Sequence, residues 1–280
     1  MTRVRDGIDL DVDRFGEGPD PLVLLIPGAG APKEFWPVAF CERLADAGRS
    51  VVRYSHRDTG LSTHVDERYP IGELLDDLFA LLAQLGRAEA HLVGHSMGGF
   101  LVQLATCERP ELVRSATSIS AGSTVLPDRF EELGMSPIPE STWEVLLKNE
   151  PTGDVDRDLP GWLRSWRFLN GRRPFDEAAA VAYTRRLYEG DPRNAEVAEH
   201  HVHAMTTVPA DLVRRLRTER TPFLVIHGTD DPLVPLDHGR ATARLAPEAR
   251  LVELDGAGHM FFDDAVWDEI GGAILAQTAS

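Results

Sequence analysis

The run Leu92-Val93-Gly94-His95-Ser96-Met97-Gly98-Gly99 limits what this 280-residue chain can fold into more than any other stretch. An apolar segment, Ala90 to Val93, stops at Gly94, and a helical-looking segment, Phe100 to Arg109, follows the paired glycines. Strand, sharp turn and helix are compressed into a few residues around a G-x-S-x-G core at Gly94 to Gly98. Such a turn strains the backbone at Ser96 and pushes its Oγ out of the top of a sheet. Glycines are needed two before and two after the serine, because side chains there would clash. The start of the next helix adds partial positive charge and free N–H groups beside the hydroxyl.

The remaining pattern supplies the sheet. Asp6-Gly7, between Arg3–Arg5 and Ile8–Phe15, is a hairpin turn signal. Leu22 to Ile26 is continuously apolar, as a strand buried on both faces must be, and it ends in Pro27-Gly28-Ala29-Gly30. A helix is expected over Phe35 to Ala47, closed by Gly48, and a strand over Ser50 to Tyr54. Leucines at 74, 75, 78, 81, 82 and 85 keep helical spacing up to Gly86. A short strand, Ala116 to Ile119, follows the serine helix. Strands resume at Pro222 to Ile226 and Ala249 to Leu254, with helices at Leu236 to Leu245 and Asp264 to Ala276. Alternation of this kind means crossover units and a mostly parallel central sheet flanked by helices, an α/β fold.

From about Gly122 to Thr218 that alternation stops. Prolines are frequent, and Ser141–Lys148, Leu159–Leu169, Asp176–Glu189 and Ala195–Thr206 read as helices. The expected organisation is a core of residues 1–121 and 219–280 with a helical cap, 122–218, inserted into it.

Charge and cysteine content narrow the partners. A formal net charge of -16 argues against nucleic acid or an anionic membrane. Cys41 and Cys107 make neither a disulfide framework nor a metal site and suit a reducing compartment. The first residues lack a signal-peptide core, and no apolar run of about 18 residues occurs, so a cytoplasmic location is expected.

Two loops carry an acid and a base. Both leave the carboxyl end of a strand, where open α/β sheets place their sites. Asp230 and Asp231 follow the strand ending at Ile226, and Gly256-Ala257-Gly258-His259 follows the one ending at Leu254. Serine is a poor nucleophile at neutral pH. A histidine that takes its proton, held in one tautomer by a carboxylate, corrects this.

The chain order serine, acid, histidine resembles that of the α/β-hydrolase superfamily. Within it the chain resembles the aclacinomycin-type polyketide methylesterases. The narrower likeness lies in Arg53-Tyr54-Ser55-His56-Arg57-Asp58-Thr59-Gly60, in Trp166-Arg167-Phe168-Leu169-Asn170-Gly171 up to Asp176, and in Asp231-Pro232 to Pro235. The resemblance implies a triad of Ser96, Asp231 and His259. The spacing from Gly228 and Pro235 selects Asp231, leaving Asp230 as a loop carboxylate. It also implies an oxyanion hole from the N–H groups of Met97 and Ala29, with Gly28 the alternative. The commoner His-Gly form is here Pro27-Gly28, which leaves the backbone donor in place. The residue before the serine varies in the family, so His95 is read as structural.

The implied activity is hydrolysis of a carboxylic ester or lactone of a bulky, apolar small molecule through an acyl-enzyme, with no cofactor and no metal. Candidates for substrate contact are Gly28, Trp143, Trp166, Leu233 and Met260, with Trp162, Phe168 and Phe261 behind them. His200, His201 and His203 lack the spacing of a helical zinc pair and read as packing or solvated residues. The arginines between 164 and 186 read as a solvated face. The same fold used as a cofactor-free lyase, cyclase or C–C bond hydrolase is the alternative, and a non-catalytic ligand-binding form is a third. The oligomeric state is not legible.

Overall fold

The computed structural model describes residues 1–16, 22–146, 148, 151–189 and 194–279, with side chains of 194–198 excepted. Strands β1 (Thr2–Arg5) and β2 (Ile8–Leu10) form an antiparallel hairpin. The main sheet contains β3 (Val12–Phe15), β4 (Leu22–Ile26), β5 (Ser50–Tyr54), β6 (Ala90–His95), β7 (Val113–Ile119), β8 (Phe223–Gly228) and β9 (Ala249–Leu254). Their spatial order is β3-β5-β4-β6-β7-β8-β9. Only β3 runs antiparallel to its neighbour, and every other pair is parallel.

The period of two along a strand sorts the core into two layers. Leu22, Leu24 and Ile26 of β4 pack with one cluster and Val23 and Leu25 with the other. Helices α1 (Val38–Asp46) and α11 (Asp264–Gln277) cover one face through Phe40, Leu44, Trp267 and Ile270. Helices α2 (Ile71–Gln84), α3 (Met97–Glu108), α9 (Leu212–Leu216) and α10 (Leu236–Leu245) cover the other through Leu74, Leu78, Leu101, Leu212 and Leu245. Between β7 and α9 lie α4 (Phe130–Leu133), α5 (Glu140–Leu146), α6 (Val155–Leu169), α7 (Glu177–Leu187) and α8 (Asn194–Thr206). Among the described residues no helix is long and apolar enough to cross a membrane.

Several elements depart from the expected bounds. The segment Ile8–Phe15 is not one strand. Its Asp11 N–H donates to Ser62 Oγ at 2.8 Å instead of to a ladder, so β2 stays with the hairpin and β3 joins the sheet edge. The helix expected from Phe35 is a short turn at Lys33–Phe35, then α1, which starts after Pro37. Helix α3 begins at Met97, directly after the serine, not at Phe100. Helix α6 begins at Val155, ahead of Pro160, because the Asp154 carboxylate accepts the N–H groups of Asp156 and Arg157 and caps it. The expected helix Ser141–Lys148 starts one residue earlier, and its Leu147 lies outside the described residues. The short α4 and α9 had no sequence expectation.

Candidate active site

Ser96 sits between β6 and α3 at φ 53, ψ -118, a strained conformation for a residue with a side chain. Strain of this kind costs on the order of 1–3 kcal/mol and persists only where neighbours over-determine it. Here the Ser96 N–H donates to the Ile119 carbonyl at 2.8 Å, and the Ser96 carbonyl accepts from Gly99 N–H at 2.8 Å. The flanking glycines are required by close approach. A Cβ at Gly94 would strike the Gly98 carbonyl, and one at Gly98 would strike the carbonyl of Ile26. Loop, strand and helix backbones therefore meet within the turn, and Ser96 is left facing a cavity.

Asp231 and Asp230, adjacent in the chain, face opposite ways. Asp231 is buried. Its Oδ1 accepts the N–H groups of Leu233 (2.9 Å) and Val234 (2.8 Å), and its Oδ2 accepts from His259 Nδ1 at 2.9 Å. Asp230 instead accepts from Arg172 at 2.6 and 2.9 Å on the surface. Burial works to raise the Asp231 carboxyl. The charge and hydrogen bond of His259, together with His227 and the Val234 amide, outweigh it and hold the carboxyl below its ordinary range. Since Nδ1 of His259 donates, Nε2 of the neutral ring carries the lone pair. Ser96 Oγ makes no hydrogen bond to the described residues.

The end of α6 supports the His259 loop. The Leu169 carbonyl accepts from His259 N–H (2.7 Å) and Met260 N–H (3.0 Å), and the Asn170 carbonyl accepts from Gly258 N–H (3.0 Å). Asn170 Oδ1 accepts from Phe262 N–H, and its Nδ2 donates to the carbonyls of Arg173 and Pro174. Trp166 to Gly171, picked out in the sequence, is thus the brace of the histidine loop. His95 adds to it: Nε2 donates to the His259 carbonyl at 2.8 Å, and the ring stacks on Phe35. Burial, then the neighbouring His259, keeps the His95 ring far below its usual pKa, and so neutral.

Ser96 and His259 border one cavity of about 390 Å³. Of the residues singled out in the sequence, Gly28, Ala29, Trp166, Leu233 and Met260 line it. Trp143 does not: it is 44 % exposed and stands outside the wall. Its neighbour Thr142 donates to the Pro232 carbonyl at 2.6 Å, which turns that face of α5 inward and leaves Trp143 on the other. Phe168 does not line the cavity either; with Pro160 and Leu163 it borders a separate surface pocket on α6. Tyr183, Leu187 and Tyr188 of the α7 region, with Phe35 and Asp58, were missed and do line the cavity. The helical spacing of Tyr183 and Leu187 was a signal for those two, and Asp58 stood in the motif Arg53 to Gly60 without a role assigned to it. Trp162 and Trp166 stack at 4.9 Å. Their indole N–H groups are occupied by Tyr188 Oη and Thr184 Oγ1, both at 2.8 Å, so they offer the cavity aromatic faces only. The Arg167, Arg172, Arg173, Arg185 and Arg186 side chains pair with surface carboxylates.

Met97 opens α3, so its N–H has no carbonyl one turn earlier to accept it, and the Met97 side chain is buried below the site. Ala29 lies in the turn after β4, where Ala31 N–H donates to the Gly28 carbonyl at 3.3 Å. Two histidines that sequence reasoning gave no role meet this turn. His56 Nε2 lies 3.0 Å from the Pro27 carbonyl, and His201 Nδ1 accepts from Gly30 N–H at 2.9 Å. His200 pairs with Asp58 at 3.1 Å. Among the described residues no three metal-ligating side chains converge.

A family model described as "alpha/beta hydrolase fold" matches residues 21–266. The chain is 32% identical to rhodomycin D methylesterase DauP of Streptomyces sp. (strain C5), over 98% of this chain and 96% of that protein. It is 31% identical to rhodomycin D methylesterase DnrP of Streptomyces peucetius, with the same coverage. Among solved structures, a meta-cleavage product hydrolase of Pseudomonas fluorescens IP01 superposes with a TM-score of 0.76 at 17% identity, covering 98% of this chain and 95% of that one. At that identity the likeness speaks for the fold alone.

Proposed function

The chain belongs to the alpha/beta hydrolase fold family, and on that premise we propose that it is a serine esterase that cleaves a carboxylic ester of a bulky, apolar small molecule. Ser96 is the nucleophile, His259 the general base and Asp231 the carboxylate that orients it. What carries the reading is the Asp231–His259 hydrogen bond opening onto the same cavity as the strained Ser96. The similarity to rhodomycin D methylesterases supports a methyl ester as the substrate class. The stacked Trp162–Trp166 wall suits a flat, apolar body.

In this mechanism His259 Nε2 takes the Ser96 proton as Oγ attacks the ester carbonyl. Catalytic hydrogen bonds are often long before substrate arrives and tighten in the complex. The N–H groups of Ala29 and Met97 hold the oxyanion. The imidazolium then protonates the leaving alcohol, and water activated by the same ring releases the acid. Asp231 stabilises the imidazolium without itself taking the proton. The reaction so written needs no cofactor. The helical segment 122–218 acts as the cap, since Trp162, Trp166, Tyr183 and Tyr188 line the cavity opposite the loops that leave the strand ends.

The test is intact-protein mass spectrometry after treatment with a phosphonate serine-hydrolase probe, with wild type beside Ser96→Ala. Turnover of p-nitrophenyl butyrate and of aryl methyl esters is recorded in parallel. Labelling and turnover lost together in the variant support the acyl-enzyme. A labelled wild type that turns over no ester counts against hydrolysis and points to lyase or cyclase chemistry.

A further inference from the structure

From the hydrogen bonds around the turn after β4 we infer that His201, on α8, is a positioning residue for the oxyanion hole, acting with His56 to aim the Ala29 N–H. The inference rests on the serine-esterase reading above.

Three consecutive peptide groups make the argument. The Pro27–Gly28 peptide is held by its carbonyl, which can only accept, so His56 Nε2 carries a proton and donates to it at 3.0 Å. The Ala29–Gly30 peptide is held by its N–H, which can only donate, so His201 Nδ1 is the lone-pair nitrogen at 2.9 Å. The peptide between them, Gly28–Ala29, uses its carbonyl to accept from Ala31 N–H. A trans peptide directs its N–H opposite to its carbonyl. Once both neighbours and this carbonyl are fixed, the Ala29 N–H has one direction left.

Gly30, at φ 65, occupies the left-handed corner of the turn, and its side-chain-free backbone would tolerate other conformations. An external acceptor is therefore needed to hold its amide. His201 is itself fixed. With Nδ1 accepting, Nε2 bears the proton and donates to the Arg57 carbonyl at 3.1 Å. Its ring is fully buried and packs edge-on against His56, 5.7 Å away, and near Tyr69. Burial first, then the adjacent His56, pushes its pKa down to about 3, which keeps the accepting nitrogen unprotonated. The consequence is that a helix from the cavity-covering segment, 171 residues away in sequence, sets the geometry of a backbone donor in the turn after β4.

Three substitutions separate this role from packing. His201→Phe keeps a ring and removes both bonds. His201→Asn places an acceptor oxygen where Nδ1 stands, and His201→Gln places an amide donor near Nε2 and leaves Gly30 unmatched. Each variant is assayed for kcat and KM on p-nitrophenyl butyrate. Inhibition by 1,1,1-trifluoro-4-phenylbutan-2-one, which forms a tetrahedral adduct with the serine, is measured alongside, as is thermal unfolding. We expect His201→Phe and His201→Gln to lose about tenfold or more in kcat, with KM little changed and inhibitor affinity falling in parallel. His201→Asn should recover most of both. Wild-type kcat and inhibitor affinity in His201→Phe would overturn the inference. Should that variant not fold, equal impairment of His201→Asn and His201→Gln would overturn it instead. Turnover that survives Ser96→Ala would defeat the underlying esterase reading, and this inference with it, a result separable from any His201 outcome.

Discussion

Asn170 Oδ1 accepts the backbone N–H of Phe262 at 3.0 Å, and the Asn170 carbonyl accepts that of Gly258. One residue at the end of α6 thus grips the chain on both sides of His259. The base of the proposed triad is held by the sheet through β9 and by the helical segment through this asparagine.

Replacing Asn170 by alanine leaves the buried Phe262 N–H and the carbonyls of Arg173 and Pro174 without their partner. Each unsatisfied buried group costs about 1–3 kcal/mol, so denaturant melts of Asn170→Ala should show a clear loss of stability. Where the variant is folded, kcat should fall about tenfold or more as the imidazole loses its register. An unchanged kcat in a destabilised variant would reduce Asn170 to a purely structural brace.

The opposite facing of Asp230 and Asp231 predicts a sharp asymmetry. Asp231→Asn keeps the acceptor for Leu233 and Val234 but sets an amide against His259 Nδ1, favouring the wrong tautomer. By analogy with the serine-protease triad, kcat should drop about 10⁴-fold. Asp230→Asn weakens a surface pair with Arg172 and a hydrogen bond from the Thr229 hydroxyl, and should leave kcat within about twofold of wild type. Comparable losses in the two variants would contradict the assignment.

Trp162 and Trp143 should also separate. Trp162→Ala opens the aromatic wall, so kcat/KM for a bulky aryl ester should fall well beyond that for p-nitrophenyl acetate, which does not reach it. Trp143→Ala lies outside the cavity and should change neither ratio by more than about twofold. A selective loss in Trp143→Ala would place substrate where no wall is seen.

Buried neutral histidines set the acid limit of the fold. Burial is the leading cause that pushes His56 and His91 down to about 4 and His201 to about 3. An unfolded histidine titrates near 6.5, so between these values the unfolded chain binds protons that the native chain refuses. Stability therefore rises with pH across that window and is lost as pH falls from about 6.5 toward 4. The depressed Asp231 carboxyl acts lower, below about 3.9. Thermal melts should show Tm falling steadily from about pH 6.5 downward; a level Tm down to about pH 4.5 would mean that these rings are already protonated in the fold.

By itself the sequence determined the parts whose physics is local. Continuous apolar runs mark strands buried on both faces. Glycines at 94 and 98 mark a turn where backbones meet, and the loops of Asp231 and His259 are found because each leaves a strand end. The tertiary structure alone decided which way neighbouring side chains point and what they meet. The spacing from Gly228 and Pro235 favoured Asp231 by resemblance, but the opposite facing of Asp230 and Asp231 was set by the approach of Arg172 and His259 from other segments. Trp143 and Trp166 are both helical tryptophans, and only packing turns one outward and stacks the other on Trp162. In the sequence His201 reads as one of three packing or solvated histidines, until α8 sets it against Gly30. A hydrogen bond between residues far apart in the chain leaves no periodicity in either segment, because its partner is chosen by the packing of whole elements.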